Sequence, residues 1–156
     1  MRNRRIIRNL APVSALLTTL ALAADMPTGM PNQMAELDRL LMPSDVAIGS
    51  DGRTYVVDSR NHQVAVFDAN GTRVASLGVM GGEEGQLLNP LGVGAGPNGA
   101  VWVADKGNER IVMFDDRGRS RKALELEADG EDIVPVDIAI GPGGRELFIT
   151  SNNTHQ

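Results

Sequence analysis

The stretch "TYVVDSRNHQVAVFDANG", Thr54 to Gly71, returns 47 residues later as "VWVADKGNERIVMFDDRG", Val101 to Gly118, in a chain of 156. A backbone path that recurs at this interval builds one small unit several times. No such unit buries its apolar face alone, so neighbours must stack. Extended back to Pro43, the copy "PSDVAIGSDGRTYVVDSRNHQV" lies without gaps over "PLGVGAGPNGAVWVADKGNERI" from Pro90 and "PVDIAIGPGGRELFITSNNTHQ" from Pro135, at offsets of 47 and 45. Between Pro43 and Gly71 the first two copies share Pro, Val, Gly, Gly, Val, Asp, Asn, Phe, Asp and Gly. Turn formers and strand residues dominate that set, as a repeated backbone requires.

Each copy reads as four short strands. In the first, "DVAIG" places Val46 and Ile48 on one face, "GSDG" is a tight turn, "TYVVD" and "QVAVFD" are β-branched or aromatic, and "ANG" turns into "TRVASLG". Gly or Pro interrupts every apolar run before two helical turns could form. Four strands in 45–47 residues is the period of a propeller blade, so the fold class is all-β, a partial β-propeller of four-stranded antiparallel blades. The 18 Gly and the 3% aromatic content agree with a turn-rich β protein. On this alignment Trp102 matches Tyr55 and Leu147 and is a blade-packing residue, and Thr150 replaces the Asp in the third copy.

The pattern P-x-x-V-A-x-x-x-x-G-x-x-Y/W-V-A-D-x-x-N-x-R-I-x-x-F-D-x-x-G resembles the NHL-repeat β-propellers, and "LGVMGGEEGQLLNP", Leu77 to Pro90, resembles their Gly-rich connection between blades. The resemblance covers Pro43 to Gln156 as repeats 43–89, 90–134 and an incomplete 135–156, about two and a half blades. It implies a ring of about six blades, within the usual 4–8. An open array exposes apolar faces and strand edges. The expectation is therefore an N-terminal piece of a longer propeller, the alternative being several chains assembled into one ring.

Ahead of the repeats, "MRNRRIIR" is basic and "LAPVSALLTTLALA" is apolar and ends in small residues. That order predicts a signal peptide over 1–24, cleaved after Ala23 or Ala24, and a secreted or periplasmic protein without stable membrane insertion afterwards. The Arg4-Arg5 pair raises a twin-arginine route. Residues 25–42 read as a linker, in which "AELDRLL" could form a helical turn or two. Removing 1–24 takes four Arg and no acid, moving the formal net charge from −5 to −9. An acidic chain repels phosphate backbones, so nucleic acid is excluded as a partner.

With no Cys and only His62 and His155, disulfides, thiol chemistry and Cys-ligated zinc are ruled out. The Asp58–Asn61 and Asp105–Asn108 pairs sit at the same place in both copies. They are expected to be structural, with Asp accepting from the backbone of the following turn and Asn taking the left-handed conformation. Arg110 could pair with Asp105 at a wet surface, for about 0–1 kcal/mol. The turn between second and third strands faces the side where, by the resemblance, propellers bind ligands. Its variable residues Arg60, His62, Lys106, Glu109, Asn152 and Thr154 are the candidate rim.

Asp58 to Val64 also resembles the "D-x-x-x-H-Q-V" of peptidylglycine amidating lyases, propellers that hold zinc with three His. This makes His62 the one candidate metal ligand. Those enzymes also place a His after a blade's Pro, where this chain has Ser44, Leu91 and Val136, and His155 falls one position later in its unit than His62. Acidic "ELEADGED", Glu125 to Asp132, lacks the calcium-loop pattern and reads as a solvated loop. "GVMGGEEG" lacks G-K-[ST] and is no phosphate loop. No cofactor motif is present. The reading is an extracytoplasmic scaffold for a protein, peptide or glycan, with possible self-association of the incomplete propeller. The alternative is a metal-dependent lyase or lactonase whose remaining ligands lie in other blades.

Overall fold

The computed structural model describes residues 39–128 and 131–152, so the signal peptide, residues 25–38 of the linker, Thr154 and His155 lie outside the described residues. The described chain is all-β, with 3-10 turns and no α-helix. Blade one is β1 (Pro43–Ile48), β2 (Thr54–Asp58), β3 (Gln63–Phe67) and β4 (Arg73–Leu77), paired antiparallel in sequence order. Blade two repeats this with β5 (Gly92–Ala95), β6 (Val101–Asp105), β7 (Arg110–Phe114) and β8 (Ser120–Glu125). A small hairpin, β9 (Glu127–Ala128) with β10 (Glu131–Asp132), stands where an acidic loop was expected. Blade three is described as β11 (Pro135–Ile140) paired with β12 (Leu147–Ser151).

The period-2 pattern of each strand sends alternate residues to opposite faces, and the blades stack through those faces. Tyr55, Val57, Val64, Val66 and Leu77 leave the far face of blade one and meet Val93, Val101, Val103, Val112 and Phe114 on the near face of blade two. Beyond it, Trp102, Ala104, Ile111 and Leu124 meet Ile138, Ile140, Leu147 and Ile149 of blade three. The first strands β1, β5 and β11 run side by side, each against the next. That contact needs small residues. A Cβ on Gly92 would stand 2.6 Å from Asp137 Cα, and one on Gly94 would stand 2.9 Å from Ile140 Cδ1.

The third blade departs from the gap-free alignment. In blades one and two five residues separate the first strand from the second, Ile48↔Thr54 and Ala95↔Val101, whereas six lie between the partners Ile140 and Leu147. The extra residue slides everything after it by one. Phe148, not Leu147, occupies the place of Tyr55 and Trp102, since Ala139↔Phe148 matches Ala47↔Tyr55 and Gly94↔Trp102. Ser151, not Thr150, stands where the Asp stands, because Pro135↔Ser151 matches Pro43↔Asp58.

Candidate functional site

Two buried carboxylates organise the rim. Asp58 and Asp105 end β2 and β6 and are completely buried. A buried carboxylate stays charged only where donors surround it. Asp58 Oδ1 accepts from the backbone N–H of Leu41 (3.0 Å) and Met42 (3.3 Å), and Oδ2 accepts from Asn61 Nδ2 at 2.6 Å. Asp105 Oδ1 accepts from Leu88 N–H at 2.6 Å, and Oδ2 from Asn108 Nδ2 at 2.7 Å and Arg110 Nε at 2.9 Å. The backbone donors thus lie in the segment entering each blade, not in the turn that follows the Asp. Residues 41–42, assigned above to the linker, are held by blade one. The left-handed residue is also not the Asn. His62 (φ 53) and Glu109 (φ 55) take that conformation, one position after Asn61 and Asn108.

Arg110 does more than pair at a surface. Its side chain is 14% exposed, and besides Asp105 it donates to the carbonyls of Gly82 (2.9 Å), Glu83 (3.1 Å) and Gln86 (3.0 Å). Asn108 Nδ2 adds a bond to Gly81 O at 2.9 Å. The blade-two turn therefore clamps the Gly-rich connection, whose Leu87 is fully buried between the blades.

His62 belongs to the seam between blades one and two. Its Nδ1 accepts from Asn89 N–H at 2.8 Å. Ser59 Oγ lies 2.6 Å from Pro90 O, Ser44 Oγ donates to Leu91 O at 2.7 Å, and Asp45 Oδ2 accepts from Val93 N–H at 2.7 Å. Every one of these crosses from blade one to residues 89–93. Arg60 and Glu109 are exposed on the rim, as is Asn152, whose N–H donates to Val134 O at 3.2 Å as Ser59 N–H does to Met42 O at 3.0 Å. Lys106 takes the place of buried Ser59 rather than of Arg60, whose counterpart is Gly107.

Among the described residues, the side chains around His62 do not form a metal site. Nδ1 of His62 is spent on a backbone amide, which leaves one ring nitrogen. Among the described residues no group of three or more His, Asp or Glu is placed to hold an ion. Counted along the sequence, however, His155 follows Ser151 by as many residues as His62 follows Asp58, so the one-position offset expected above vanishes once the longer hairpin is allowed for.

Sequence reasoning missed Asp45 and Asp137, at the rim end of β1 and β11. They sit two residues after the repeat prolines, with Gly92 at that place in blade two, and that spacing was the available signal. A Cβ at Gly92 would stand 3.0 Å from Asp137 Oδ1, so the absence of a side chain there leaves room for the Asp137 carboxyl beside β5. Burial, and after it the neighbouring Asp137, raises the Asp45 carboxyl above the ordinary carboxylate range, against the lowering effect of the Val93 and Val46 N–H groups. Two clefts, of about 460 Å³ beside Glu83, Arg121 and Lys122 and about 270 Å³ beside Arg53, Tyr55 and Arg117, have none of the rim residues in their walls.

An NHL repeat matches residues 40–67, the span from the clamped entry segment through β3. No protein of curated function matches the sequence. Among solved structures the chain is similar to virginiamycin B lyase from Staphylococcus aureus (24% identity, TM-score 0.54, 69% of this chain and 33% of that one). It is also similar to hydrazine synthase of Kuenenia stuttgartiensis (17%, 0.56, 69% and 28%) and to the β-propeller domain of Myceliophteria thermophila Cps50 (Swd1) (12%, 0.53, 70% and 32%). The chain therefore carries the blades of a β-propeller, one of them an NHL repeat. It spans about a third or less of each of these structures.

Proposed function

We propose that this protein is an extracytoplasmic propeller scaffold that binds a protein, peptide or glycan at the rim of its β2–β3 and β6–β7 turns. The observation that carries the reading is one frame holding different chemistry. Asp58–Asn61 and Asp105–Asn108 fix the same turn twice, yet the turns offer Arg60 and His62 in one blade and Lys106 and Glu109 in the next. A rigid frame with varied polar tips suits selective binding, because functional side chains concentrate on loops held by a scaffold. The amino-terminal basic-then-apolar segment supports export.

The test is binding of the full chain to peptide and glycan arrays, repeated with Arg60→Ala and Lys106→Ala. Loss of a bound signal in those variants, with Arg117→Ala as the control away from the rim, supports the reading. Signals unchanged by both rim variants overturn it. Metal analysis of the purified chain tests the lyase or lactonase alternative, which solved neighbours such as virginiamycin B lyase bring to mind. Stoichiometric zinc, lost in His62→Ala, would replace the scaffold reading with that one.

A further inference from the structure

We infer that the smaller cleft, between blades one and two, binds a small amphipathic carboxylate, an acidic head carried on one ring or a short apolar chain. The cleft reaches the β1–β2 and β7–β8 turns, which lie at the ends of the strands away from the rim, and the inference does not depend on the reading of the rim. Its volume of about 270 Å³ falls just below the range of about 300–1,000 Å³ typical of small-molecule sites, so it suits a single ring. Its floor is the blade seam itself, Tyr55, Val66, Leu77 and Val101, all buried and apolar apart from the Tyr55 hydroxyl. Its mouth is polar. Arg53 lines it from blade one and Arg117 from blade two. Ser76, also in the wall, brings a third guanidinium, since its Oγ accepts from Arg73 at 2.8 Å.

The charges select an anion. Among the described residues the Arg117 guanidinium has no hydrogen-bond or ion-pair partner. Arg53 has one ion pair, with Asp51 at 3.5 Å, and both of those side chains are exposed, so the pair is weak. The carboxylates of the wall compete little. Asp115 is already met by Arg119 at 2.9 Å and Arg121 at 3.8 Å, and by the N–H groups of Arg117 and Arg119. That leaves Asp116 as the one wall carboxylate without an ion pair among the described residues, against Arg53, Arg73 and Arg117.

Neither wall arginine is required by the repeat. Arg53 directly precedes β2, where Ala100 precedes β6 and Glu146 precedes β12. Arg117 stands where blade one has Asn70, in turns built the same way. Asp68 Oδ1 accepts from the N–H groups of Asn70 and Thr72 as Asp115 Oδ1 does from those of Arg117 and Arg119. The fold needs these turns and not their cations, yet the two departures meet in one cleft. A guanidinium fork matches a carboxylate, and the apolar floor takes the body that carries it. Burial first, and Asp51 next, raises the Tyr55 hydroxyl above its ordinary range, and a hydrogen bond from Arg53 opposes that, so the ring of the floor reaches the cation of the mouth.

Titration of the isotope-labelled full chain with phenylacetate, followed by amide NMR, tests this. The expected result is saturable shifts at Ser76, Leu77 and Gly118, with a Kd on the order of 1 mM or tighter. Phenylacetamide keeps the ring without the charge and acetate the charge without the ring, so each should bind about tenfold more weakly. Arg53→Gln and Arg117→Ala should each weaken phenylacetate by a similar factor of about ten. Both side chains are exposed, so each variant keeps the wild-type circular dichroism. Arg117→Ala also separates this site from the rim, because a peptide or glycan held there stays bound while phenylacetate is weakened. Three results overturn the proposal. Shifts at these amides that fail to saturate by about 10 mM would mean that the cleft takes no such ligand. Equal affinity for phenylacetate and phenylacetamide would mean that the charge is not read. Binding unchanged in both arginine variants would place the anion elsewhere.

Discussion

Arg110 Nε stands 2.9 Å from Asp105 Oδ2, and the carboxylate it meets has no solvent exposure. The same guanidinium spans three carbonyls of the connection between blades, so one side chain neutralises a buried charge and fixes the path of residues 82–86. A planar fork suits that task and an ammonium does not.

Arg110→Ala leaves Asp105 buried without its cation and should lower stability by about 3 kcal/mol, as loss of one partner of a buried pair does. Arg110→Lys should fall between, keeping charge but not the fork. Thermal melts read both. A loss below about 0.5 kcal/mol for the alanine variant would show that the pair behaves like an exposed one.

Asp58→Ala removes the acceptor for Leu41 N–H, Met42 N–H and Asn61 Nδ2. Buried donors left unpaired cost about 1–3 kcal/mol each where water cannot reach them, so the sum should be at least about 2 kcal/mol. Amide exchange at Leu41 and Met42 should accelerate with it. Ser151→Ala, at the matching place in blade three, should stay within about 0.5 kcal/mol, since Ser151 is exposed.

Gly92→Ala pushes a methyl to 2.6 Å from Asp137 Cα and 2.7 Å from Val136 O. Both atoms are backbone or next to it and cannot swing away, so β11 must shift off β5. The expected cost is about 1–3 kcal/mol by urea denaturation. A neutral result would mean that blades two and three are not packed through these strands.

The pH dependence of Asp45 runs opposite to that of a salt-bridged carboxylate. Burial first, then Asp137, raises its folded-state value above the ordinary one. The folded chain then holds the proton more tightly than the unfolded chain. The stabilising contribution is full below the unfolded value, about 3.9, and is lost as pH rises through the folded value. Asp45→Asn should therefore be more stable than wild type at neutral pH, with the advantage shrinking as pH falls into the acid range. Urea midpoints of both proteins, compared from neutral pH down to the unfolded value of about 3.9, read the difference. An advantage that grows on acidification would refute the assignment. Asp115 contributes with the other sign, since the Arg119 backbone N–H first, and its guanidinium after, holds that carboxyl low, so the comparison must be variant against wild type.

Much of the fold was legible because it is written locally. Val56, Val57, Val64 and Val66 belong to short β-branched runs buried on both faces, and Gly52 and Gly71 mark turns that need positive φ (80° and 77°). Asp58–Asn61 and Asp105–Asn108 stood out by recurring. What they bind did not, because Leu41 and Leu88 are each 17 residues from their Asp and nothing in the intervening sequence states that separation in space.

The sequence by itself determined that one four-stranded unit recurs from Pro43 and Pro90 and begins again at Pro135, since strand alternation and turn chemistry depend on near neighbours. Only the tertiary structure decided which residues are equivalent in the third unit, where one added residue between Ile140 and Leu147 moves Phe148 and Ser151 into place. It also brought Asp45 to Asp137 around Gly92 and turned Arg110 from a surface cation into a clamp. Hydrogen-bonded register and blade stacking fix those relations, and both join residues that are distant in the chain.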